Sequence, residues 1–151
     1  MDKTMELCNL MGRLPRIVHG FFSEKLAGFG ISGVVVPYIL SLSKNDGIGM
    51  LDLSKKVGFD KANTSRVIKE MVDSGLVIQK KDVSDKRLIH LHLTEKGQNA
   101  VEVICASLKE LSEKLFLDIS EDEKEYAHTI IRKILANTIS LISQETITDT
   151  I

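Results

Sequence analysis

The chain has 151 residues, of which 43% are hydrophobic and 27% charged, with two prolines and no tryptophan. That size and balance exclude a disordered chain and fit a globular domain with its own core, while no run approaches the ~18 apolar residues of a membrane span. The formal net charge is −1 but unevenly spread: residues 54–97 hold ten Lys/Arg against six Asp/Glu, and the remainder holds ten against fifteen.

Residues Thr4 to Ala27 predict a first helix, with Leu7, Leu10, Leu14, Ile17, Val18 and Phe21 at three- and four-residue steps and Phe22 and Leu26 continuing the stripe. Pro15 predicts a kink or a restart inside it. Gly28 to Gly30 form a break, after which Ser32 is placed to cap a second helix, Gly33 to Ser43. Lys44 to Gly47 is a polar turn. Leu51 to Val57 make a short helix stopping at Gly58, and Asp60 is the expected N-cap of the next, Lys61 to Ser74, which stops at Gly75. Two short helices across a glycine turn form a helix-turn-helix pattern.

Two strand-like runs follow, Leu76 to Lys81 and Leu88 to Leu93, the latter alternating Ile89, Leu91 and Leu93 with His90 and His92. Between them lie Asp82 to Arg87, polar apart from Val83, as a hairpin tip or wing. Thr94 caps a long helix carrying Val101, Ile104, Leu108, Leu111 and Leu115. Ser120 and Glu123 form a capping box for a last helix with Ala127, Ile130, Ile131, Ile134, Leu135, Leu141 and Ile142 on its apolar side. First and last helices both carry more apolar positions than one buried face needs. An intertwined homodimer accounts for the surplus; a closed monomeric core is the alternative.

Within the helix from Lys61, the residues Thr64, Val67, Ile68 and Met71 repeat at i, i+3, i+4 and i+7 and face inward. Lys61, Asn63, Ser65, Arg66 and Lys69 then face outward, each a hydrogen-bond donor and none large and apolar. That is the surface a helix needs in the major groove of double-stranded DNA. Arg66 suits a guanine edge or a phosphate, Asn63 an adenine edge, and Lys61 and Lys69 phosphates. Lys86 and Arg87 put positive charge on the wing, where an arginine can enter a minor groove. Asp85 is expected to shape the tip by pairing with an arginine or capping the turn.

The run LDLSKKVGFDKANTSRVIKEMVDSGLVIQKKDVSDKRLIHLHLTEKG resembles the MarR family of bacterial and archaeal regulators. The resemblance rests on Gly58-Phe59-Asp60, Ser65-Arg66, Gly75-Leu76-Val77, Asp82, Asp85-Lys86-Arg87 and Leu93-Thr94-Glu95-Lys96-Gly97. Thr64 departs from it, standing where the family usually has an aliphatic residue.

The implied fold is mostly α with a small β-hairpin wing: one domain, residues 1–151, with a winged helix-turn-helix lobe at 33–94 and dimerisation helices at 4–27 and 95–145. The resemblance implies a homodimeric repressor on a pseudo-palindromic operator, with Ser65, Arg66 and Lys69 at reading positions, Arg87 as the wing arginine and Asp85 as the wing aspartate. It also implies control by a small aromatic or lipophilic acid, for which Arg16, His19 and Tyr38 are the candidate polar groups. Each also has a plainer reading, as a surface, edge or core residue.

No secretory segment is expected, because Asp2, Lys3, Glu6 and Arg13 break up the first residues, and a reduced cytoplasmic setting suits Cys8 and Cys105, which match no metal or redox spacing. Peroxide sensing by Cys8 lacks an identifiable partner for the thiolate, and Cys105 reads as a small packing element. His90 and His92 share a strand face, but with no third ligand nearby they read as the solvent-facing edge of the wing rather than a metal site. No glycine-rich phosphate loop, nucleophile elbow or spaced metal cluster is present, so neither enzymatic activity nor a cofactor is expected. A winged helix used only for protein–protein assembly is the competing function, and the polar face of the Lys61 helix argues against it.

Overall fold

A computed structural model describes residues 2–148, with side chains through residue 138. Leu141 and Ile142 therefore fall outside the described side chains. The element order is α1 (Lys3–Lys25), α2 (Val36–Lys44), β1 (Ile48–Gly49), α3 (Met50–Val57), α4 (Lys61–Asp73), β2 (Val77–Lys81), β3 (Ile89–Leu93), α5 (Glu95–Leu115) and α6 (Glu121–Thr148), with short 3-10 turns at Ala27–Phe29 and Gly33–Val35. The chain divides between Lys109 and Glu110 into two compact units.

In the first unit, α1 runs unbroken through Pro15. The missing N–H removes one intrahelical bond without ending the helix, so the expected restart does not occur. Ser32 makes no side-chain cap. Instead Ser23 Oγ accepts from the Gly33 N–H at 2.8 Å, which ties the end of α1 to the next segment. Gly33 sits against the His19 backbone with no room for a Cβ. The expected second helix splits accordingly into a 3-10 turn and α2, with Pro37 in the first turn of α2, where its lost donor costs nothing.

The core of this unit is built from Phe22, Leu26, Tyr38, Ile39, Leu42, Leu53, Val67, Ile68, Met71, Leu76, Leu91 and Ile104. Each large apolar side chain taken fully from water contributes roughly 1.5–3 kcal/mol before entropy is counted. The sheet is antiparallel and three-stranded, in the order β1-β3-β2. Leu93 pairs with Val77 and Lys81 with Ile89 at the two ends of the hairpin. The two-residue β1, against Leu91 and His90, was not legible in the sequence. Ile48 and Gly49 are too short to show alternation, and their pairing is non-local.

Around the helix-turn-helix, the caps follow the sequence. Gly58 is left-handed at φ 74°, and its N–H returns to the Ser54 carbonyl at 3.0 Å. Asp60 Oδ1 accepts from the Asn63 N–H at 2.8 Å, capping α4. After α4, the Leu76 N–H bonds the Met71 carbonyl at 2.9 Å, burying Leu76 as β2 begins. Thr94 caps α5 through Oγ1, which accepts from the Gly97 N–H at 3.1 Å and donates to the Gly75 carbonyl at 2.7 Å.

The second unit contains the end of α5 and α6. Ser120 and Glu123 form the reciprocal capping box at its turn, Glu123 accepting from Ser120 N at 2.8 Å and Ser120 Oγ accepting from Glu123 N at 3.3 Å. The Ser120 N–H, and with it the Ser120 hydroxyl donating to Glu123 Oε2 at 2.8 Å, hold the Glu123 carboxyl below the usual range. Cys8 and Cys105 are both exposed, so Cys105 is not the packing element its position suggested.

Candidate nucleic-acid interface

The inward face of α4 is the one the spacing predicts: Thr64, Val67, Ile68 and Met71 are all buried. Lys61, Ser65, Arg66 and Lys69 are exposed, while Asn63 is only partly so. The Asn63 amide is already engaged. Its Oδ1 accepts from Arg66 Nη2 at 2.8 Å, and its Nδ2 lies 3.4 Å from the Tyr38 hydroxyl. Asn63 thus departs from the expected outward donor and instead steadies the Arg66 guanidinium. Lys69 pairs with Asp73 at 2.6 Å, with both side chains mostly exposed. Such i,i+4 surface pairs are worth about 0.3–0.5 kcal/mol, too little to hold the ammonium from a phosphate.

The wing owes its shape to two aspartates. Asp82 Oδ1 accepts from the Ser84 N–H at 2.7 Å, the Ser84 hydroxyl, and the Asp85 N–H at 3.0 Å. These donors, together with His90 on the other oxygen, hold the Asp82 carboxyl far below the usual carboxylate range, the Ser84 hydroxyl contributing most. Asp85 Oδ1 accepts from the Arg87 N–H at 3.0 Å, so this residue caps the turn rather than pairing with an arginine side chain. The hairpin closes with Asp82 N–H on the Leu88 carbonyl and Leu88 N–H on the Asp85 carbonyl. Lys86 and Arg87 are exposed on this frame.

Helix and wing meet at one cleft of about 540 Å3, lined by Met50, Leu51, Lys61, Arg87, Leu88 and Ile89 among others. The first basic residue of α4 and the wing arginine therefore flank the same opening. Residues far apart in sequence are brought together because β3 pairs with β1, which leads directly into α3.

The histidines of β3 are not the solvent edge expected of them. His92 Nδ1 lies 2.9 Å from Asp46 Oδ1, and His90 bonds at both ring nitrogens, to the Gly47 carbonyl at 2.7 Å and to Asp82 Oδ2 at 2.9 Å. Asp82 and His90 are wing-shaping residues that sequence reasoning assigned no such role. Asp82 stood in the matching motif without one, and nothing local connects Gly47 to His90. No group of three or more metal-ligating side chains occurs among the described residues.

The structure does not bring Arg16, His19 and Tyr38 together. The ring of Tyr38 is fully buried and stacks on Phe59 with centroids 5.8 Å apart, whereas Arg16 and His19 are exposed on α1. The cavity at Arg16 is lined by Arg13, Arg16 and Ile17. Tyr38 belongs to the core because its ring fills the space between α2 and the helix-turn-helix corner.

A glycine-hinged helix pair followed by a β-hairpin wing, flanked by N- and C-terminal helices, defines a winged helix-turn-helix protein. The model of the MarR family matches residues 38–89. The HTH-type transcriptional regulator BilQ of Clostridium symbiosum is 25% identical over 114 residues, covering 76% of this chain and 79% of that protein. The transcriptional repressor MprA of Escherichia coli is 26% identical over 116 residues, covering 76% of this chain and 66% of its own length, just under two thirds. The structure of a MarR protein from Peptoclostridium difficile superposes with a TM-score of 0.83 at 25% identity, covering 91% of this chain and 92% of that one. By fold and by these matches the chain is similar to transcriptional regulators of the MarR family.

Proposed function

We propose that this regulator acts as a homodimeric repressor in the cytoplasm, binding a pseudo-palindromic operator with α4 in the major groove and the wing in the neighbouring minor groove. The observation that carries the reading is the cleft lined by both Lys61 and Arg87, which puts one basic residue of α4 and one of the wing at the same opening. On this reading Ser65 and Arg66 face base edges, Lys61, Lys69 and Lys86 hold phosphates, and Arg87 enters the minor groove. Asn63 contributes by orienting Arg66, and Asp85 by fixing the wing turn.

Dimerisation is supported by unburied apolar surface. Leu7, Leu10, Leu14 and Ile17 form an exposed stripe on α1, and Tyr126, Ile131 and Leu135 are exposed on α6. The relative MprA is a transcriptional repressor. Control by a small aromatic or lipophilic acid is what the resemblance implies; of its candidate polar groups Arg16 and His19 are exposed and Tyr38 is buried.

Selection of bound duplexes from a random pool tests the proposal. Enrichment of an inverted repeat with half-sites about one helical turn apart is expected. Binding should also fall steeply with salt. No enrichment, or binding insensitive to salt, refutes it and favours a protein-assembly module.

A further inference from the structure

His90 stands between two groups that only accept hydrogen bonds. Its Nδ1 faces the Gly47 carbonyl at 2.7 Å and its Nε2 faces Asp82 Oδ2 at 2.9 Å. Asp82 is itself ionised by design, since its other oxygen takes up the amides of Ser84 and Asp85 and the Ser84 hydroxyl. A neutral imidazole carries one N–H and satisfies only one of the two partners. Both contacts hold together only when the ring is doubly protonated. The ring spans from the turn ahead of β1 to the first residue of the wing tip, 43 residues apart at one end and eight at the other.

We propose that His90 is a positioning residue for DNA binding: as an imidazolium it braces the wing tip that presents Lys86 and Arg87, and the grip on DNA loosens when the ring gives up its second proton. The inference rests on the DNA-binding reading above. Losing the proton leaves either Asp82 Oδ2 or the Gly47 carbonyl facing a ring lone pair. The tip then keeps its internal Asp82 and Asp85 turns and its backbone pairing but loses the side-chain brace that links Asp82 to Gly47. The arginine it carries is no longer held at the Lys61 cleft.

The groups facing the ring set the direction. The Asp82 hydrogen bond chiefly, then the Gly47 carbonyl and the Asp82 charge, raise the His90 pKa above its ordinary 6.5, while desolvation opposes them. Lys80 is the cross-strand partner on β2 and opposes a second positive charge, Gly49 on β1 is uncharged, and Asp46 on the preceding turn is taken by His92. A raised folded value means that the brace is complete below pH 6.5 and is lost as pH climbs through the raised value.

The full-length protein is tested in two ways. First, long-range 1H–15N spectra of the free protein read His90 directly: protons on both ring nitrogens are expected to persist above the ordinary 6.5, and a neutral tautomer at pH 6.5 overturns the proposal without reference to DNA. Second, binding to a labelled random-sequence duplex pool is followed from about pH 6 to about pH 8.5. The wild type is expected to weaken about three- to tenfold more than His90→Gln, whose amide does not titrate. The other histidines are common to both proteins, so only the difference counts. Asp82→Asn should remove the same difference and bring the His90 ring back toward ordinary titration. Equal pH slopes in wild type and His90→Gln, with both binding DNA, overturn the role of His90 alone. Failure of the wild type to bind at any pH and low salt overturns the DNA-binding reading, and this role with it.

Discussion

Gly97, in the first turn of α5, lies against the Leu76 carbonyl so closely that no Cβ fits between them. Leu76 is the residue that leaves α4 for the wing, and its carbonyl also accepts from the Thr94 N–H at 2.9 Å. The Lys96 ammonium adds a bond to the Ser74 carbonyl at 2.7 Å. The start of α5 is thus clamped to the junction between α4 and the hairpin. This contact fixes the angle at which the two leave the core.

Gly97→Ala tests that clamp. The added methyl meets backbone rather than a movable side chain, so the strands or α5 must shift. A destabilisation of about 1–3 kcal/mol is expected, the usual cost of forcing volume into a packed site. Urea unfolding of the variant beside the wild type measures it. An unchanged midpoint would show that α5 is free to back away.

Arg66→Ala and Arg87→Ala separate the two contact elements. Both side chains are exposed, so folding should be unaffected within about 0.5 kcal/mol. Each is expected to weaken binding to a selected operator by about 1–3 kcal/mol. Arg87→Ala should also reduce the salt dependence by about one counterion if it contacts phosphate or the minor-groove potential alone. Wild-type affinity in both variants would remove the two residues from the interface.

Much of this arrangement was legible in the sequence because its signals are local. Asp60, Gly58, Gly75, Thr94 and the Ser120–Glu123 pair announce helix ends by short-range hydrogen bonding, and each end falls where these residues stand. The inward set Thr64, Val67, Ile68 and Met71 follows from helical period alone. What stayed hidden depends on distant partners. The strand Ile48–Gly49 exists only through pairing with β3, and the pair of hydrogen bonds made by the His90 ring needs that pairing to bring Gly47 within reach. Asn63 is on the outward arc by period but is drawn toward Tyr38, a residue 25 positions away. The same limit governs Arg16, His19 and Tyr38, where polar residue type gave no indication of shared space.

Leu10→Glu with Leu14→Glu places two carboxylates on the exposed stripe of α1, where neither residue supports the core. The variant is expected to sediment as a folded monomer while the wild type sediments as a dimer. Charges buried in an apolar interface without partners cost several kcal/mol, enough to shift micromolar association out of range. A double variant that still sediments as a dimer would move the interface away from this stripe.

Thr64 offers a change in the opposite direction. Its Oγ1 is buried without a hydrogen-bond partner in the structure, on the inward face of α4 beside Val67 and Ile68. A hydroxyl taken from water and left unpaired is destabilising, and a methyl of the same shape avoids that cost. Thr64→Val is therefore expected to stabilise the fold by about 1 kcal/mol, read as a higher urea midpoint with the slope unchanged. Because the side chain points away from the exposed face, the affinity for DNA should not move. A fall in stability would mean that the hydroxyl is satisfied by an ordered water, and a fall in affinity at constant stability would mean that Thr64 sets the pitch at which Ser65 and Arg66 are presented.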